Sequence, residues 1–121
     1  MMKRYSGFSA IGTLALTVMV VFFTIPMKRA LGAMHACKSV EVSTFENRIH
    51  VRCNTAASGG IVFFAVPTAN SAHAARVVAI LTAAHVAGKN IEVEYDPSDT
   101  SGGDFGCLPT NCRRMLSVRI K

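Results

Sequence analysis

"NSAHAARVVAILTAAHVAGK", residues 70–89, decides how the rest of the chain is read. The stretch is rich in alanine and has no glycine or proline before Gly88. Asn70 or Ser71 can accept a backbone N–H at its start, and Gly88 stands where a helix ends in a left-handed residue. Val77, Ile80, Leu81 and Ala84 recur at helical spacing and make one apolar stripe. This is the only helix the pattern predicts in residues 37–121, so its flanks must supply the sheet it packs on.

Upstream, "CKSVEVS" (37–43) alternates, with Val40 and Val42 on one face and Ser39 and Glu41 on the other. "NRIHVRC" (47–53) alternates again: Ile49, Val51 and Cys53 face one way, Arg48, His50 and Arg52 the other. Period-two patterns predict half-buried antiparallel strands, here joined through the short polar connection "TFEN". "IVFFAV" (61–66) is apolar throughout and predicts a strand covered on both faces, ended by Pro67. Only one of Phe63 and Phe64 can face a barrel interior, so the other is expected under the helix or against a partner.

Downstream, "NIEVEY" (90–95) places Ile91, Val93 and Tyr95 inward and Glu92 and Glu94 outward. A long loop, "DPSDTSGGDFGCLPTNC" (96–112), follows. "RRMLSVRI" (113–120) closes the sheet with Leu116, Val118 and Ile120 inward, and Arg119 and Lys121 within reach of Glu92 and Glu94. The order is strand, strand, strand, helix, strand, strand. That order is the plan of a five-stranded OB-fold-like barrel, mainly β with one helix.

The first 36 residues read differently. Lys3 and Arg4 open an apolar run from Ala10 to Pro26, and small residues follow at Gly32, Ala33 and Ala36. This is the pattern of a secretory signal peptide, with cleavage expected after Ala33 or Ala36 and a mature domain from 37 to 121. An uncleaved membrane anchor is the alternative, favoured by Lys28 and Arg29 beyond the run. Cleavage after Ala36 would also open Cys37 to lipidation and leave one cysteine unpaired. Four of the 13 basic residues lie in this segment and all seven acidic ones lie beyond it. Nine basic residues against seven acidic ones remain, so the excess positive charge belongs mostly to the leader. Nucleic acid is not an expected partner, because the remainder has no clustered Lys and Arg to displace counterions.

Cys37, Cys53, Cys107 and Cys112 all lie in the expected mature part. An even count in a short exported chain predicts two disulfides, with three connectivities open. "CLPTNC" closes a small loop around a proline, which makes Cys107–Cys112 the first choice and leaves Cys37–Cys53. Staples matter in so short a chain, whose core is thin. The expected compartment is the periplasm or the cell exterior.

"LTAAH" (81–85) resembles the histidine segment of trypsin-like proteases, and Ser101-Gly102-Gly103 their nucleophile loop. Those enzymes need two barrels and three residues converging from distant points of the chain. Here His85 ends a helix only 16 positions before Ser101, and no Gly-Asp precedes that serine. Neither residue is expected to be catalytic, and no enzyme is expected. No histidine pair or cysteine spacing suits a metal, and no cofactor motif occurs. The remaining candidates for binding are Arg48, His50 and Arg52, a cationic strand face suited to an anion such as a sialylated glycan or a phosphate.

"AGKNIEVEYDPSDTSGGDFGCLPTNCRRMLSVRI" (87–120) resembles the end of the B subunits of bacterial AB-type toxins, the subtilase cytotoxin and typhoid toxin group. The shared features are a helix ending in a Gly-Lys turn, a strand like "IEVEY", and a late disulfide across a short loop, here Cys107 with Cys112. The resemblance extends over roughly residues 60–121. It implies an OB-fold, assembly into a homo-oligomeric ring, a glycan receptor and a toxic A subunit as partner. In that group an earlier disulfide joins the second and third strands. Here "IVFFAV" has no cysteine, so Cys37 would stand in opposite Cys53. The group's glycan-contacting serine has no counterpart that can be placed in "CKSVEVSTFENR", so no binding residue carries over.

Overall fold

The computed structural model describes residues 32–121. The expected signal or anchor segment lies almost wholly outside them. The elements are β1 (Ala33–Thr44), β2 (Arg48–Ala57), β3 (Ile61–Pro67), α1 (Ser71–Ala87), β4 (Asn90–Tyr95), a 3-10 turn (Ser101–Phe105) and β5 (Cys112–Ile120). The strands close into a barrel in the order β1-β2-β3-β5-β4. Every seam is antiparallel except β3–β5, which is parallel over Phe63–Ala65. The fold is the expected OB-fold-like barrel.

The helix forms as its sequence predicts. The Asn70 side chain accepts the His73 N–H at 3.1 Å, and Gly88 caps the other end at φ 62°. Ala74, Val77, Leu81 and Ala84 are buried, and the alanines let the helix lie close to the strands. Ile80 is only half-buried and sits at the margin of the stripe. The main core joins these residues to Ile49, Val51, Phe64, Val66, Ile91, Val93, Tyr95 and Met115.

Ile120, expected inward, is 41% exposed, and Glu92, expected outward, is only 7% exposed. Two further expectations fail, for one reason. β1 was expected to bury Val40 and expose Ser39. Instead Ser39 is 3% exposed and Val40 41%. Ser39 pairs with Cys53 and Glu41 with Arg52, so one extra residue, Val40, is inserted on β1. Such a bulge reverses the facing of the residues around it. β5 repeats the device. Glu94 pairs with Ser117 and Tyr95 with Met115, which leaves Leu116 as the inserted residue. Leu116, expected inward, is 45% exposed, and Met115 fills the core instead.

The β1 bulge also divides that strand's labour. Ala33–Lys38 pair with β4, and Ser39 and Glu41–Thr44 pair with β2. The strand therefore starts four residues ahead of the expected domain boundary at Cys37. The Cys37–Cys53 disulfide crosses from β1 to β2 just where their ladder ends, with a Cα–Cα distance of 5.5 Å. Cys107–Cys112 closes the short loop before β5. Both pairings are the first choice made from sequence.

The outer face of β3 explains its unbroken apolar run. Phe64 points into the barrel and is fully buried. On the other side Ala65 packs with Cys107 and Cys112 in a second small cluster, flanked by Phe63 and Phe105. Phe63 therefore lies under the disulfide loop and not under the helix. Glu92 accepts from Arg119 and Lys121 together, whereas Glu94 accepts the Ser117 hydroxyl instead of a cation.

Candidate functional site

A cleft of about 170 Å³ opens between the β2–β3 face and the stapled loop, lined by Arg48, His50, Phe63, Leu108 and Asn111, with Gly106 and Cys112 at its edge. Strand alternation supplies Arg48 and His50, because Ile49 and Val51 between them are drawn into the core. β3 supplies Phe63, the partner of Arg52 and so diagonal to His50 on the same face. The disulfide holds Leu108 and Asn111 over them. Asn111 is fixed further by its carbonyl, which accepts the Val62 and Phe63 N–H groups at 3.1 Å each.

Arg48 is held in an unusual way. Its guanidinium carbon lies 3.8 Å from the centre of the Phe45 ring. Nη1 donates to the Asn47 side chain at 3.2 Å and, at 3.5 Å, to the Phe105 carbonyl. Nε is buried with no hydrogen-bond partner. A buried donor left unpaired costs about 1–3 kcal/mol, so an acceptor brought to it is strongly favoured. Gly106 makes room for this arrangement. Its φ is +89°, and a Cβ there would come within 2.6 Å of Arg48 Nη1. Only glycine tolerates both conditions.

His50 sits between two rings. Phe45 meets it edge-on at 4.9 Å and Phe63 tilts against it at 5.5 Å. Desolvation pushes its pKa down, the nearby Arg48 charge adds to that, and Glu41, 3.9 Å away, opposes it. The imidazole is therefore kept toward its neutral form, able to donate or accept. Glu41 is held below its usual range, first by the hydrogen bond from Ser43 (2.8 Å) and then by Arg52 and His50.

Of the three cationic candidates, two meet and one does not. Arg48 and His50 line the cleft. Arg52 points along the same face but is engaged by Glu41 at 3.6 Å. The sequence pattern gave no sign of Phe45, Gly106, Leu108 or Asn111, since they sit in turns and loops where no period applies. "FG" and "TN" beside the two cysteines were the available clue.

A second cleft, about 180 Å³, lies between α1 and β5, lined by His73, Arg76, Val77, Ile80, Ser117 and Val118. It has no buried unpaired donor and no aromatic wall among its lining residues. His85 Nδ1 lies 3.3 Å from the Ser39 hydroxyl and 3.2 Å from its carbonyl. Ser101 donates its N–H to Asp99 at 2.9 Å. The two protease-like segments thus engage different neighbours. His35 lies beside Cys37 and Cys53, with ligand atoms within 4.8 Å, but both sulfurs are spent in their disulfide. The four cysteines are all paired, as suits an oxidising compartment, and no helix among the described residues is long and apolar enough to cross a membrane. Compared with family models, with curated proteins and with solved structures, the chain finds no match.

Proposed function

We propose that this chain is an exported, non-enzymatic binding module that takes an acidic ligand in the Arg48–His50–Phe63 cleft, with sialylated cell-surface glycans as the ligand class. The observation that carries the reading is the buried, unpartnered Nε of Arg48 beside aromatic faces. A ligand carboxylate would accept from the guanidinium, a charge-assisted bond stronger than a neutral one. The apolar face of a sugar ring would lie on Phe63 and Leu108, and the Asn111 amide and neutral His50 would meet hydroxyls.

The cleft is smaller than pockets that enclose a drug-sized ligand, so the ligand would be gripped at one acidic end. Single contacts of that kind are weak, and a homo-oligomer presenting several copies multiplies them. This arrangement agrees with the resemblance of residues 60–121 to toxin B subunits, and would leave a toxic A subunit as a further partner. The small cleft volume also favours a second reading, a monomeric periplasmic protein that binds a small anion or an acidic partner.

The test is calorimetric titration of the oxidised, leader-free protein with sialyllactose and with lactose. Preferential binding of the sialylated sugar, weakened at least about tenfold in Arg48→Ala, is expected. Equal binding of both sugars, or an Arg48→Ala protein that binds as well, overturns the cleft assignment. Light scattering on the same sample separates the two readings, since a mass of several subunits supports the glycan module and a monomer the second.

A further inference from the structure

The first residues of β1 belong to the barrel. Ala33, Met34, His35 and Ala36 pair with Tyr95, Glu94, Val93 and Glu92, four of the six rungs that join β1 to β4. Ala33 packs against the main core. His35 bonds through Nε2 to the Thr55 carbonyl at 3.0 Å and stacks on Phe64 with 5.8 Å between ring centres. A cut after Ala36 would remove most of the seam that closes the barrel and uncover Phe64. A cut after Ala33 would remove the first rung and its core contact. The sequence offers another position one residue earlier. Ala30-Leu31-Gly32 places small residues one and three positions before the Gly32–Ala33 bond, the spacing an export peptidase reads.

Glu94 supplies an independent observation. Its Oε2 accepts the Ser117 hydroxyl at 2.8 Å. Its Oε1 faces Gly32, where a Cβ would come within 2.9 Å of it. Among the described residues no cation pairs with this carboxylate. Glu92, two residues away, has two.

We propose that an export peptidase hydrolyses the Gly32–Ala33 bond and that the new N-terminus docks on Glu94. Water adds across the amide. Gly32 departs as the carboxylate end of the leader, and Ala33 keeps the nitrogen as an α-ammonium. With a pKa of about 8 that group is charged at neutral pH, and the residue just before it, Gly32, is the one that faces Glu94. Processing thus replaces a neutral amide by the cation the carboxylate lacks, and leaves every β1–β4 rung in place.

The inference rests on the export reading, and one experiment distinguishes the two. The full chain is expressed in an exporting bacterial host, and the recovered protein is analysed by intact mass and N-terminal sequencing. A chain beginning at Ala33 with both disulfides formed is the expected result. A chain beginning at Met34 or Cys37 overturns the inference and keeps export. A retained leader overturns the inference, and a retained leader with both disulfides unformed overturns export as well. The docking is tested on the Ala33 form, with its α-amine free or acetylated, each with and without Glu94→Gln. The substitution should lower the Tm of the free-amine form by about 2–4 °C and have little effect on the acetylated form. An equal effect on both overturns the pairing.

Discussion

Two apolar clusters share strand β3, and they are built by different means. Inside the barrel, Phe64 and Val66 join fourteen other buried side chains from every strand and from the helix. Outside it, Ala65 has only Cys107 and Cys112 as buried companions, with Phe63 and Phe105 half-covering them. The inner cluster is large enough to hold itself together. The outer one is a thin roof that needs a covalent staple, a left-handed glycine and a carbonyl from Asn111. The cleft opens at the margin of the roof and not in the core. Binding surfaces tend to occupy loops positioned by a rigid scaffold, and here the scaffold and the loop can be perturbed separately.

The sharpest separation comes from Leu81→Ala. Leu81 is fully buried between helix and barrel. Truncating it should cost about 2–5 kcal/mol in urea unfolding, enough to threaten the fold of so small a domain. Replacing Cys107 and Cys112 together by serine should cost less, about 2 kcal/mol, because the closed loop is short. The same change should abolish binding at the cleft while far-ultraviolet circular dichroism stays native. If both losses scale together, the roof and the core are one unit and the comparison breaks.

Gly106→Ala is a finer probe. It forces a Cβ into a positive-φ residue and against Arg48. About 1–2 kcal/mol of stability should be lost, and ligand affinity should fall with it, since Arg48 must move. Acid gives a smaller effect. The His50 pKa is lower in the folded chain than the ordinary 6.5, so the unfolded chain binds the proton first. Stability should therefore fall as pH drops through and below 6.5, and His50→Gln should flatten that part of a Tm-against-pH curve. Arg48→Lys should change stability least of all. It should nevertheless weaken capture of a carboxylate, because an ammonium cannot reproduce the guanidinium fork.

The two clusters also differ in how far the sequence announced them. The inner one was legible because its period is physical. Ile49 and Val51, Ile91 and Val93, and Val77, Leu81 and Ala84 repeat at the spacing that one buried face imposes. Asn70 and Gly88 marked the helix ends, and cysteine spacing gave the staples. Reading failed at Val40 and Leu116, the two bulged residues. Nothing local distinguishes a β-branched or leucine residue that is ejected by a bulge from one that alternates inward, since the partner strand decides. At Ala33–Ala36 the small residues that read as the end of a leader also form the first rungs between β1 and β4. The cleft was half legible. Alternation put Arg48 and His50 on one face, but the residues that roof them come from a loop where contact depends on the staple and on one glycine's φ.

The divided strand β1 has a consequence for how the molecule is made. Its first half pairs with β4, so Ala33 must wait for Tyr95, 62 residues later in the chain. Closure is thus a contact of long sequence separation, the kind that slows folding. A chain delivered N-terminus first can form the β1–β2 hairpin early, through Glu41–Thr44. Residues Ala33–Lys38 then hang as an unpaired edge until the helix and β4 have both arrived. That edge is the part of the nascent molecule most open to pairing with another chain. Formation of the Cys37–Cys53 bond at the hairpin stage would hold it beside its own β2, a tether in place before the barrel can shut.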